Sequence, residues 1–182
     1  MLSRQEALEL VNKNLSKKNL IKHTLAVEAI MRAMARKFGT DEELWGLAGL
    51  LHDLDYEQTM SSPGRHGRAT IEMLAGLEVP KEAQDAILAH AGHLARNSLM
   101  EKAICCVDPL TGLIVASALM HPSKNLAGLD PDFVGKRFKE KRFAAGASRE
   151  AIARCSELGL ELHEFFRISI DAMNGISREL EL

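Results

Sequence analysis

The residues of this chain best suited to chemistry are histidines and aspartates that interrupt apolar, helix-like segments. The clearest case is the run Gly-Leu-Leu-His-Asp-Leu-Asp at residues 49–55, where an apolar segment ends in the doublet His52-Asp53. Both side chains are costly to remove from water unless they gain a partner. The run therefore predicts a metal ion, a salt bridge or water at that point.

Helical periodicity places further polar side chains on apolar faces. His23 and His90 each occupy a step of an apolar stripe, and Asp108 lies on the apolar face of a third segment. No Lys or Arg stands three or four positions from Asp108 to pair with it. A lone inward histidine is usually a core residue bonded to a backbone carbonyl. A set spread over five predicted elements, with His66 among them, instead favours a shared site for Zn, Mn, Fe, Co or Ni.

Helices must position these side chains, because helix-forming residues dominate the composition and no strand-like alternation occurs. The predicted helices span about residues 3–14, 18–38, 41–52, 65–77, 81–91, 98–119, 131–142 and 149–173, the last broken near Gly159. Residues 53–64 are predicted to be a polar loop, of the kind that often lines sites. The chain is therefore predicted to be all-α, a single domain of seven or eight helices covering residues 1–182.

Capping patterns support several of these helix starts. The spacing of Ser3 with Glu6, Thr40 with Glu43, and Ser98 with Glu101 is that of a capping box, which predicts a helix after each. Gly39 is predicted to end the second helix in the left-handed conformation.

Composition limits the environment and the partners. With 182 residues and a net charge of −2, the chain has no bulk attraction for nucleic acid or an acidic membrane, and no specific nucleic-acid partner is expected. Cys105 and Cys106 are neighbours that could pair only under strain, which favours a reduced protein with buried, inert thiols. No apolar run was expected to reach the roughly 18 residues of a membrane span. We therefore expect a cytoplasmic protein.

The order His23, His52-Asp53, His66, His90 and Asp108 resembles the signature of the HD superfamily, helical metal-dependent phosphohydrolases. The resemblance covers residues 18 to about 120, which would form the HD core, with about 121–182 as a C-terminal helical extension. The stretches VDPLTGLIVASALM and KRFKEKRFAAGASRE are similar to a bacterial and archaeal subgroup of predicted HD hydrolases. The resemblance implies a helical bundle of the HD-domain type.

The resemblance also implies roles for the residues that match the motif. It makes His23, His52, Asp53 and Asp108 the ligands of a first divalent ion. His66 and His90 would hold a second ion, bridged by Asp53, and the ions could be Mn, Fe, Co, Ni, Zn or Mg. In this scheme the doublet His52-Asp53 is catalytic, because it holds the ions that activate water.

The chain departs from the family pattern in two ways. Asp55 stands where many relatives have glycine, and it is expected either to take a proton from water or to be a solvated loop residue. No Gly-Tyr-Pro motif follows, which speaks against cyclic dinucleotide hydrolysis.

Four basic residues are candidates for binding a phosphorylated substrate. Arg65 and Arg68 flank His66, whereas Lys136 and Lys139 belong to the segment 136–142, whose five basic residues and one glutamate give a charge of +4. Guanidinium and ammonium groups hold phosphoryl oxygens by charge-assisted hydrogen bonds. The alternative for 136–142 is a solvated helix face that packs through its phenylalanines.

Three functions are compatible with this pattern. The first is a metal-dependent phosphohydrolase acting on a nucleotide or another small phosphate ester. The second is a di-iron oxygenase of the HD type, which would use the same ligands. The third is a non-catalytic helical ligand-binding or signalling module with a structural metal.

Overall fold

Short polar side chains cap five of the eleven α-helices of this chain and so help to decide where those five begin. The structure, a computed structural model, describes residues 1–182 and contains helices but no strands. The helices are α1 (Arg4–Asn14), α2 (Lys18–Phe38), α3 (Glu42–Leu51), α4 (Tyr56–Thr59), α5 (Arg68–Met73), α6 (Lys81–His90), α7 (Leu99–Met120), α8 (Pro131–Lys139), α9 (Arg149–Ala153), α10 (Leu162–Asn174) and α11 (Ser177–Leu180). Two 3₁₀ turns, Pro63–Arg65 and Arg154–Leu158, complete the set. The all-α prediction is confirmed.

Two of the three predicted capping boxes are present. Ser3 and Ser98 each accept a hydrogen bond from the backbone three residues on, and the glutamate there bonds back to the cap. The box predicted at Thr40 is wrong. The Thr40 hydroxyl donates to the carbonyl of Ala35 at 3.3 Å, so Asp41 caps α3 in its place.

The predicted helix boundaries differ from the observed ones mainly after the doublet His52-Asp53. Residues 53–64, predicted to be a loop, contain the short helix α4 and a 3₁₀ turn, and the helix predicted over 65–77 is only α5. The helix predicted over 131–142 ends at Lys139, and the last predicted helix divides into α9, a 3₁₀ turn and α10. Gly159, at a φ of 73°, lies between the 3₁₀ turn and α10, where the break in the last helix is predicted.

The helix α7 is the central helix of the fold, and its length and apolar composition differ from the sequence-based expectation. By length and apolar composition alone it could cross a membrane, so the expectation that no run reaches that length is wrong. Within the fold, 56% of its most apolar window is buried. The core helix of a globular domain passes the same test, because it too is apolar over much of its surface.

The helices α2 and α3 approach closely at Gly49. A Cβ atom added at Gly49 would lie 3.0 Å from the backbone of Glu28 on α2. Glu28 is 3% exposed, and its carboxylate is paired with Arg4 at 2.6 Å and with Arg32 at 3.0 Å. A buried carboxylate is tolerated where two guanidinium groups satisfy it. This contact fixes α3, and with it the doublet at its end, against α2.

Candidate metal centre

Five elements bring the six predicted ligands to one place. His52 follows the last residue of α3 and Asp53 comes next, so the end of that helix allows both side chains to turn toward one point. His23 lies on α2, and His66 directly follows the 3₁₀ turn before α5. His90 is the last residue of α6, and Asp108 lies in the middle of α7. The predicted convergence is present.

The first group of ligand atoms surrounds one oxygen of Asp53. His23 Nε2 lies 3.2 Å from His52 Nε2, 3.6 Å from Asp53 Oδ2 and 3.1 Å from Asp108 Oδ1. His52 Nε2 lies 3.6 Å from the same Asp53 oxygen. Adjacent ligand atoms about 2.1 Å from a shared ion stand roughly 3.0–3.4 Å apart. The spacings of 3.1 and 3.2 Å therefore fit one divalent ion, and the two of 3.6 Å to Asp53 lie slightly above that range.

The second group surrounds the other oxygen of Asp53. Asp53 Oδ1 lies 3.3 Å from His66 Nε2 and 3.6 Å from His90 Nε2. Asp108 Oδ2 lies 3.5 Å from His90 Nε2, so Asp108 also presents one oxygen to each group. The two carboxylates therefore stand between two pairs of imidazoles, as expected for a binuclear site.

Hydrogen bonds at Nδ1 settle which nitrogen of each imidazole faces the centre. His52 Nδ1 donates to the carbonyl of Gly49 at 2.7 Å, and His66 Nδ1 donates to Asp55 at 2.8 Å. His90 Nδ1 donates to the Ile87 carbonyl at 3.3 Å. All these acceptors lack a proton, so in the neutral rings Nε2 carries the lone pair that a metal needs.

His23 reaches the same state through a hydroxyl group. Thr111 Oγ1 donates to the carbonyl of Asp108 at 2.8 Å and therefore accepts from His23 Nδ1 at 2.9 Å. The lone pairs of His23 Nε2 and His52 Nε2 then face each other at 3.2 Å. Two lone pairs at this separation repel unless a cation or a proton lies between them. The donor set thus fits a metal ion on the chemistry of its own contacts.

Burial and charge favour the ligand forms of His52 and Asp108. Burial lowers the pKa of His52 to about 4, which keeps its imidazole neutral. Burial also raises the pKa of Asp108, but the hydrogen bond from His23 and the neighbouring histidines outweigh it and hold that pKa well below its usual range. A neutral imidazole and an ionised carboxylate are the forms that bind divalent ions.

Asp55 is fully buried, so its interpretation as a solvated loop residue is wrong. One of its oxygens accepts from His66 Nδ1, and the other accepts from the backbone N–H of Thr70 at 3.0 Å. Burial raises the pKa of Asp55, but the hydrogen bond and charge of His66 outweigh it, so the pKa lies below its ordinary value. Asp55 therefore orients His66, which is a different role from taking a proton from water.

The cavity over the metal centre has a volume of 670 Å³ and contains no lysine or arginine. Arg65 pairs with Glu72 at 2.6 Å, and Arg68 is exposed elsewhere. Lys136 and Lys139 line a separate cavity between α8 and α10. The structure therefore does not bring the four predicted phosphate-binding residues to the metal centre.

Sequence reasoning missed the far wall of this cavity. It consists of Tyr56, Pro109 and the residues 144–147, which are alanines and one glycine. Arg149 holds this wall, because its five N–H groups are shared among six backbone carbonyls within hydrogen-bond distance, those of Arg137, Phe138, Glu140, Phe143, Ala144 and Ala147. The sequence around a basic residue in a helix contains no pattern that predicts hydrogen bonds to the carbonyls of a loop. The left-handed φ of 44° at Ala144 shows that the wall needs this support.

The cysteines are not part of the centre. Burial raises the pKa of Cys105 and of Cys155 to about 11, and it raises that of Cys106 further. All three therefore remain thiols at neutral pH, as the sequence predicted for Cys105 and Cys106.

Comparison with known proteins identifies the family of this site. The family model described as HD domain matches residues 20–121, which is more than half of the chain and includes all six ligands. The chain belongs to the HD domain family. Its members bind divalent metals and are metal-dependent phosphohydrolases, and the resemblance seen in the sequence is confirmed.

Several proteins named Ribonuclease Y are similar to this HD protein. One from a Sulfurovum species is 30% identical over 135 residues, which are 72% of this chain and 26% of the relative. One from Campylobacter jejuni is 25% identical over 179 residues, which are 89% of this chain and 35% of the relative. The HD chain thus spans about a quarter to a third of the length of these relatives. No solved structure matches it significantly.

Proposed function

We propose that this HD domain hydrolyses a nucleotide or another small phosphate ester with the help of one or two divalent ions. The observation that carries the proposal is the position of Asp53, whose two oxygens each face a different pair of histidine Nε2 atoms. When bound, a pair of ions lowers the pKa of water and neutralises charge on a phosphoryl group. The family and the relatives support a metal-dependent hydrolase. The nucleotide or small phosphate ester as substrate goes beyond what they support and is our proposal.

The residues of the chain have distinct parts in this proposal. Asp53 faces both pairs of histidines and would bind to both ions. The neutral ring of His52 donates from Nδ1 to the Gly49 carbonyl, which leaves its Nε2 free to bind a metal ion. His23 and Thr111 form the side wall on which a substrate would rest. The residues 144–147 contribute small side chains to the wall of the same cavity.

The test is phosphate release by the purified chain, supplied in turn with Mn, Co, Ni, Mg and Fe. We expect at least one metal to support turnover on a panel of nucleotides and phosphomonoesters, and Asp53→Asn to lower kcat by a factor of about 10²–10⁴. Phe38, remote from the centre on α2, offers a control as Phe38→Leu. No release with any metal would end the proposal.

Hydrolysis of RNA is the second candidate, and the names of the relatives favour it. It requires cleavage of a phosphodiester, so an RNA oligonucleotide and a mononucleotide should be offered to the same metal-loaded preparation. The absence of cations from the cavity at the metal centre supports the smaller substrate, because polynucleotide binding depends on several phosphate contacts. Turnover of the oligonucleotide alone would favour the RNA substrate.

A further inference from the structure

A second cavity lies between α2 and α7, directly beside the cavity of the metal centre. Its volume is 480 Å³, within the range of about 300–1,000 Å³ that ligand sites occupy. Three residues, His23, Thr111 and Gly112, line both cavities. The two cavities are therefore adjacent and share part of their lining, and we call the second one the α2–α7 cavity.

The walls of the α2–α7 cavity are mostly apolar and its rim is polar. Ala26 on α2 and the α7 residues Val115, Ala116 and Leu119 form the walls. Leu119 is 54% exposed, which is unusual for a large apolar side chain beside a cavity. Asn19 and the ion pair of Lys22 with Glu181, at 2.6 Å, lie at the rim.

One face of α7 connects the metal centre to the cavity. Asp108, Gly112, Val115 and Leu119 follow one another at intervals of three or four residues and so share that face, with Thr111 beside Gly112. At 1.5 Å per residue the face extends about 16 Å from Asp108 to Leu119, long enough for a phosphate and a nucleoside laid end to end. The carboxylate of Asp108 stands at one end of this face and the apolar cavity wall at the other.

Gly112 lies where the two cavities meet. Glycine inside a helix costs about 1 kcal/mol relative to alanine. A Cβ atom added at Gly112 would meet no atom within 4 Å, so close packing does not require glycine there. A large side chain at this position would fill the space that both cavities share.

We propose that the α2–α7 cavity binds the organic part of the substrate, a single nucleoside, while the phosphate lies at the metal centre. This inference rests on the proposed function, because it assumes a phosphate ester at the ions. The apolar walls suit the faces of a base, and the amide of Asn19 supplies the donor and acceptor that pair with a base edge. The edge of a base can hydrogen-bond to Asn19, which an acyl chain cannot do, so a nucleoside is the better match.

The experiment measures binding without any hydrolysis. Methyl NMR spectra of the Zn²⁺-loaded chain are recorded during titration with adenosine, guanosine, cytidine, uridine, ribose 5-phosphate and octanoate. At least one nucleoside should shift the methyl signals of Ala26, Val115, Leu119 and Leu180 saturably, and ribose 5-phosphate should leave them nearly unchanged. Gly112→Leu should weaken nucleoside affinity at least tenfold.

The matched control is Gly64→Leu, which adds the same bulk at another glycine whose Cβ direction is open. It should change nucleoside affinity less than twofold. The inference is overturned if no nucleoside shifts these methyl signals, if octanoate alone does so, or if Gly112→Leu binds nucleosides as the unmodified chain does. Because free nucleosides carry no ester, their binding can succeed even where phosphate release fails, and the two proposals are tested separately.

Discussion

At the scale of single residues, the centre depends on groups that hold the ligands as much as on the ligands. Each of the four histidines has its Nδ1 bonded to an acceptor, which directs Nε2 toward Asp53 or Asp108. Partners of this kind orient a ligand and raise its basicity. Asp55 is the only carboxylate among these four acceptors, so it offers the sharpest test.

Asp55→Asn should weaken one half of the centre selectively. An amide of the same size keeps the volume but removes the negative charge opposite His66, so affinity for the second ion should fall by a factor of about 10–100. Titration with Mn²⁺ would show one site altered and one nearly unchanged. Asp171→Asn, at an exposed position on α10, is the control. Equal weakening of both sites, or of neither, would contradict the role given to Asp55.

Metal affinity should rise with pH across neutrality. Burial lowers the pKa of His23, but the hydrogen bond and charge of Asp108, together with Asp53, outweigh it and place that pKa above its ordinary value. Below this pKa a proton occupies the nitrogen that must bind the ion, so affinity should fall by up to about tenfold for each pH unit. Calorimetric titrations with a divalent metal at pH 6, 7 and 8 would measure this change in affinity. Affinity that is flat over this range would contradict the account.

At the scale of elements, the contact of α2 with α3 places the doublet. Gly49→Ala would put a Cβ atom 3.0 Å from the backbone of Glu28, so we expect a loss of about 1–3 kcal/mol in the free energy of unfolding. Gly112→Ala is the matched control, because it also lies inside a helix but has open space, and it should be neutral or stabilising. Urea unfolding of both variants would decide. Equal stability of the two would show that the helices do not depend on this close approach.

The wall at residues 144–147 depends on Arg149. Arg149→Lys keeps the charge but has too few donors for six carbonyls, so the free energy of unfolding should fall by about 1–3 kcal/mol and cleavage by trypsin within 136–147 should accelerate. Arg154→Lys, whose side chain forms an exposed pair with Glu150, is the control. If Arg149→Lys resists trypsin as the unmodified chain does, the wall is held by other contacts.

At the scale of the whole molecule, periodicity predicted the helices and the inward positions of three polar residues, and the resemblance to the HD superfamily implied the full set of six. His23, His90 and Asp108 interrupt apolar stripes, and a stripe faces the core whatever the tertiary detail. Asp55 was harder, since it lies in the predicted loop 53–64 and its partners His66 and Thr70 come from the predicted helix 65–77, so no periodic pattern relates them. The roles of Arg149 and of the basic residues depend on tertiary contacts between distant segments, which periodicity does not contain.

The central claim is that six side chains, bridged by Asp53, bind divalent ions. The most direct measurement is the metal content per chain, by elemental analysis, of the purified protein and of Asp53→Ala after loading with Mn²⁺ and removal of free ion. The account predicts one or two ions for each unmodified chain and fewer in the variant. A chain that retains no ion, or a variant that retains as many as the unmodified chain, would contradict it.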